Sequence, residues 1–269
     1  MLLWLLFVLS SCVCQGQPAV VGSAGLWSGG LTIPWSGAQA ARDFPQGTRA
    51  STGYSLGLTI GKTAPGLTTD FMSFGVHRRF KVFHAALFGS AVGDRLYSEY
   101  GLGIRGGLST PQWALGLGLN GHGRQIERRF RIWPSICAGL SLFLTPNTSL
   151  HIRSSFLAKQ SPDDPLIADG FSSAWLIKHK MGRTQIMGFM QQWETKGWDT
   201  GIACLFGLSP EWEATACGSA VGRRFSISLQ GLLKSWRISA SGMISPLPLP
   251  GTLIDLQYAS GIQRFRSKV

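Results

Sequence analysis

Arg223 to Ile244 reads RRFSISLQGLLKSWRISASGMI, and the alternation in it decides the fold. Phe225, Ile227, Leu229, Gly231 and Leu233 take turns with Arg224, Ser226, Ser228 and Gln230. After a step at Leu233-Lys234-Ser235, Trp236, Ile238, Ala240, Gly242 and Ile244 alternate with Arg237, Ser239, Ser241 and Met243. Successive side chains of a strand project to opposite faces, so each half is a strand with one apolar and one polar side. A helix needs apolar positions three and four apart, and this stretch fails that template.

The same pattern recurs along the chain. Tyr54, Leu56, Leu58 and Ile60 alternate with Ser55, Gly57 and Thr59, and Met72, Phe74 and Val76 follow. Val82 to Val92 is poorly patterned. Leu102, Ile104 and Leu108 oppose Glu99, Gly103, Arg105 and Gly107, and Trp113, Leu115, Leu117 and Leu119 oppose Gly116, Gly118 and Asn120. Arg124 to Leu144 keeps one parity, with Ile126, Phe130, Ile132 and Ile136 against Gln125, Glu127, Arg129, Arg131 and Ser135. That stretch is expected to be one long strand or two strands broken at Trp133-Pro134, since proline removes a ladder donor. Leu150, Ile152 and Phe156 then oppose His151, Arg153 and Ser155, and Ser161 to Leu166 is a polar loop. Trp198, Ile202, Cys204, Phe206 and Leu208 form a further apolar face. Ile254, Leu256, Tyr258 and Ile262 against Asp255, Gln257 and Gln263 close the series. Roughly 12 to 15 segments of about ten residues result, the strand length of a tilted membrane barrel.

Composition points the same way. The chain is 44% hydrophobic and only 14% charged, with 35 glycines and 10 tryptophans, unusual for a soluble enzyme of 269 residues. The net charge of +12 and a pI near 10.0 raise nucleic acid as a partner. The basic residues come singly inside alternating strands, however, and no nucleic-acid partner is expected. Met1 to Gly16 reads as a signal peptide around the apolar core Leu2 to Leu9, too short to span a bilayer as a helix. Leu9-Ser10-Ser11-Cys12 offers a lipoprotein ending and Cys14-Gln15-Gly16 an ordinary cleavage site. Gln17 to Ala50 is an N-terminal arm, a plug or a first strand, Ser51 to Phe265 the barrel, and Arg266 to Val269 a short basic tail.

Cys137, Cys204 and Cys217 remain in the mature chain, an odd number that argues against a disulfide framework. Cys204 shares the apolar face with Ile202 and Phe206, and Cys217 shares the polar face with Glu213 and Thr215, so the two are not expected to pair.

A soluble β-sandwich also alternates. Three features favour an all-β closed antiparallel transmembrane β-barrel of about 14 strands instead. There are more apolar rows than one dry core accommodates. The polar face is rich in Gly, Ser, Arg and Gln. Trp113, Trp198, Trp212 and Trp236 sit at segment ends, as interfacial aromatics do.

In this pattern, from Ser51 to Phe265, the sequence resembles Gram-negative outer-membrane β-barrel proteins. The resemblance implies an outer-membrane location, outer-membrane lipid as the surroundings, and a role in transport or secretion. Such barrels usually finish on an aromatic residue, whereas here Phe265 is followed by Arg266-Ser267-Lys268-Val269.

Catalytic chemistry is weakly represented. His122 lies in Gly121-His122-Gly123-Arg124, and His151 shares a face with Ser155, but no spacing matches a hydrolase motif or a metal site. No enzyme, cofactor or metal is expected. The charges expected to line the lumen are Glu99, Arg105, Arg129, Arg131, Arg153, Arg224, Arg237 and Asp255, either as an anion-preferring wall or as salt-bridged networks. The function expected is a channel or transporter for small or anionic solutes. The alternatives are a lumen-filled scaffold barrel in a larger outer-membrane complex and, third, a lipid-modifying barrel enzyme.

Overall fold

A computed structural model describes residues 53–62, 70–93, 97–126, 129–157, 171–193, 197–220, 224–233, 235–244 and 252–259. The expected signal peptide, N-terminal arm, Ser161 to Leu166 loop and basic tail lie outside the described residues.

Fourteen strands make up the described chain: β1 Gly53–Lys62, β2 Asp70–Phe80, β3 Phe83–Gly93, β4 Tyr97–Ser109, β5 Trp113–Ile126, β6 Arg129–Phe143 and β7 Thr148–Leu157, then β8 Phe171–Met181, β9 Thr184–Trp193, β10 Gly197–Gly207, β11 Trp212–Ser219, β12 Arg224–Leu233, β13 Trp236–Ile244 and β14 Thr252–Ala259. Every strand is antiparallel to its sequence neighbours, as the alternation required. The ladder order returns on itself, with β1 pairing β2 on one side and β14 on the other. No helix occurs among the described residues.

Antiparallel order puts alternate connections at opposite ends. At one end the links are tight. Lys81 and Gly182 take positive φ values of 51° and 58° in two of them. Three others repeat a single device in Thr110-Pro111-Gln112, Thr145-Pro146-Asn147 and Ser209-Pro210-Glu211. In each the leading hydroxyl accepts from the two backbone N–H groups that follow the proline, at 2.9–3.3 Å. Proline presets φ and the hydroxyl replaces a ladder partner, so the chain reverses at once. Gly53 and Ala259 lie at this short-turn end, as an even number of strands requires.

The two faces of the sheet separate as the alternation expects. Leu56, Ile104, Leu117, Ile136, Ile177, Ile202 and Ile227 lie on the exposed outer face. A single inward row runs Ser55, His77, Ala86, Arg105, Gly118, Cys137, Ser155 and Ser172 across β1 to β8. This inverts a soluble protein, in which large apolar side chains go inside.

One boundary differs from the sequence reading. The break in Arg124 to Leu144 falls between Ile126 and Arg129, and Trp133-Pro134 lies inside β6. Among the described residues β7 pairs with β6 only from Ser135 onward, so Pro134 has no described ladder partner on that side and its missing N–H is tolerated. The β5–β6 hairpin therefore extends beyond the described part of β7.

Candidate functional site: the inner wall

The inner wall has two unlike halves. On β3 to β7 it is polar and cationic. Glu99 and Arg124 are cross-strand partners with Oε1 and Nη2 2.8 Å apart. The Arg124 guanidinium also lies 5.8 Å from the ring of Trp133, which faces inward. Arg105 Nη1 donates to the carbonyls of Ile104 at 3.1 Å and Leu119 at 3.4 Å, and its guanidinium lies 4.6 Å over the ring of Phe88. Gly118 makes this posture possible, because a Cβ there would fall on the Arg105 side chain. Asn120 Nδ2 donates to Ser135 Oγ, and His122 Nε2 meets the same oxygen, each at 2.7 Å.

His151 lies between two serines. Its Nδ1 is 2.7 Å from Ser141 Oγ and its Nε2 is 2.9 Å from Ser149 Oγ, all three groups being buried. Ser155 faces the same way, but the hydroxyls against His151 belong to Ser141 and Ser149. No group of metal-ligating side chains occurs among the described residues.

On β8 to β11 the wall carries an apolar cluster, flanked by the buried inward side chains of Gln185, Asp199, Glu213 and Thr215. Ala174, Leu176, Met187, Phe189, Ala203 and Cys217 form one buried cluster, with Leu205 also buried nearby on β10. Phe189 lies over Gly201, whose missing side chain leaves space for the ring. The cluster stops at Arg153, which pairs across from Ala174, and at Ser226, which pairs across from Cys217. The sequence does not announce this cluster, because Met187 and Phe189 alternate with the apolar Ile186 and Met190 and leave no period-two signal.

The expected lumen charges divide into three groups. Glu99, Arg105 and Arg153 are buried on the inner wall. Arg129 and Arg131 keep the inward parity but sit on the projecting part of β6, where both are exposed rather than walled in. Arg224, Arg237 and Asp255 belong to β12, β13 and β14, and their side chains lie outside those described. The four expected interfacial tryptophans are all on the outer face. Trp113, Trp212 and Trp236 begin their strands at the short-turn end, and Trp198 is at the opposite end. The three cysteines are free, with Cys137 and Cys217 inward and buried.

No protein-family model matches the chain, and no curated protein matches it. Its backbone is similar to that of the toluene transporter TbuX of Ralstonia pickettii, with a TM-score of 0.64 at 9% identity, covering 90% of this chain and 98% of that one. It is also similar to the outer membrane protein Omp33 of Acinetobacter baumannii, with a TM-score of 0.53 at 9% identity, covering 79% of this chain and 100% of that one. At this identity the likeness is one of fold, the fold of outer-membrane β-barrel proteins.

Proposed function

We propose that this chain is an integral protein of a Gram-negative outer membrane, a closed transmembrane barrel acting as a non-enzymatic channel or transporter for small solutes, anionic ones in particular. The observation that carries this reading is the reversal of the usual faces, with an exposed apolar belt outside and serine, glycine and arginine inside. Hydrocarbon satisfies the first surface, and a polar bore the second. Arg105 and Arg153 supply the anion preference. The apolar cluster that starts beside Arg153 suits the hydrocarbon part of an organic acid, and TbuX, by its name, carries an apolar solute. Planar-bilayer recording tests the proposal. An anion-preferring conductance that weakens in Arg105→Gln/Arg153→Gln supports it, and a barrel that inserts but never conducts contradicts it.

A second reading, a lumen-filled scaffold barrel within a larger outer-membrane complex, is supported by one observation. Thr59, Ser141 and Ala174 are 0% exposed although their side chains are short. Recovery of a stoichiometric outer-membrane partner with the tagged chain, together with no conductance, is its expected signature.

A further inference from the structure

On the outer face at the short-turn rim, one ridge of side chains crosses four strands at the β1–β14 seam. Trp236 and Tyr258 are cross-strand partners with ring centroids 5.0 Å apart in an edge arrangement. Tyr258 and Tyr54 follow at 5.6 Å, with their hydroxyls 3.4 Å apart. Tyr54 is the direct partner of Arg78 on β2, whose guanidinium lies 4.3 Å from the ring of Phe80. Beyond Arg78 the next partner is Ala85, a small side chain that leaves the guanidinium approachable from that side.

Arg78 is out of keeping with its face. It shares the outward side of β2 with Met72, Phe74 and Val76, all exposed and apolar. A guanidinium on a lipid-facing surface is expensive in hydrocarbon and tolerable only at headgroup depth. There it meets phosphate. Guanidinium takes two phosphate oxygens at once, phenol hydroxyls donate to a third, and tryptophan and tyrosine rings lie at the glycerol level. The hairpin Arg78-Arg79-Phe80-Lys81-Val82-Phe83 carries cations and no carboxylate. Among the described residues no ion pair to Arg78 occurs. Such a surplus of positive charge favours a headgroup of net negative charge over one that brings its own ammonium.

We infer that Arg78, with the hydroxyls of Tyr54 and Tyr258, forms a binding site for the phosphodiester of an anionic phospholipid in the leaflet at the short-turn end. The inference rests on the transmembrane reading above. Lipid at this place covers the seam where the first strand meets the last.

The test is native mass spectrometry of the full chain, released from nanodiscs of equal parts phosphatidylglycerol and phosphatidylethanolamine. The wild type is expected to retain phosphatidylglycerol in preference. Arg78→Gln should cut that retention at least fivefold, and Tyr54→Phe/Tyr258→Phe by a smaller factor. Arg183→Gln, in the β8–β9 turn, should leave it unchanged. Equal retention in Arg78→Gln, or an equal loss in Arg183→Gln, overturns the site. Displacement of the lipid by inorganic phosphate also overturns it, since the ligand is then a free anion. A chain that never enters the nanodisc overturns the transmembrane reading and the site together, whereas one that enters and retains no lipid preferentially overturns the site alone.

Discussion

Glu99 and Arg124 face each other across β4 and β5 at 2.8 Å, and the same register row continues to Arg131 on β6. One carboxylate thus stands in line with two guanidiniums, of which only the far one is exposed. Like charges directly opposite each other in a sheet repel, and Glu99 offsets that between Arg124 and Arg131. Replacing it by glutamine leaves both cations in the row. The pair is nearly solvent-free, so the loss should approach about 3 kcal/mol, the lower end for breaking a buried pair. The readout is the temperature at which the folded band on an unboiled gel converts to the unfolded one. Glu99→Gln should lower it clearly, and Glu99→Gln/Arg124→Gln should recover part of the loss. An unchanged midpoint in the single variant contradicts the pairing.

Two inward glycines should respond differently to alanine. A Cβ at Gly118 meets the flexible Arg105 side chain, which can swing aside. A Cβ at Gly107 meets the backbone carbonyl of Leu115, which cannot. Gly107→Ala should therefore cost about 1–3 kcal/mol by overcrowding, and Gly118→Ala less. Gly118→Ala should instead alter ion selectivity by moving Arg105. Equal stability losses in denaturant titration, with unaltered selectivity, count against this picture of the wall.

Arginine at Leu229, on the outer face of β12, should destabilise the folded protein in liposomes by about 2–4 kcal/mol if that position lies near the bilayer midplane. The unfolding midpoint in denaturant measures it. A neutral result places water, not lipid, against β12.

The thiols should be silent in the folded state. Cys137 and Cys217 are buried inward, and Cys204 faces outward on β10 beside Ile202 and Phe206. A membrane-impermeant maleimide should label none of them in intact membranes and all of them after denaturation. Rapid labelling of Cys217 in the folded chain indicates a wider, wetter lumen than the structure has.

Much of this fold was legible because alternation reports a face directly wherever one side is apolar and the other polar. Arg224 to Ile244 is such a stretch, and so is Trp113 to Leu119. Legibility failed where both faces are apolar. In β3, Ala86 and Phe88 face inward while Phe83 and Leu87 face outward, so no period-two signal survives. In β9, Met187 and Phe189 are inward and Ile186 is outward, which hid the apolar cluster of the wall. The hairpin between Ile126 and Arg129 was invisible for another reason. It carries Glu127 and Arg128 where a turn is usually marked by glycine or proline, while Pro134 marks a position inside β6.

The site was less legible than the fold. Arg105 and Arg153 could be assigned to a face from parity alone, but parity does not say where a strand outruns its neighbour. Arg129 and Arg131 accordingly lie exposed, beyond the described part of β7. Nor does sequence spacing reveal that Ser141 lies directly across from His151, since that proximity depends on register.

The most direct test of the membrane barrel is the electrophoretic mobility of the membrane-extracted chain, loaded with and without boiling. A closed barrel resists detergent until heated, so the unboiled sample should migrate faster than the mass of the processed chain, which is below the 29.1 kDa of the full sequence, and shift to that mass on boiling. Identical mobility before and after boiling, with the chain released from membranes by alkaline carbonate, contradicts it.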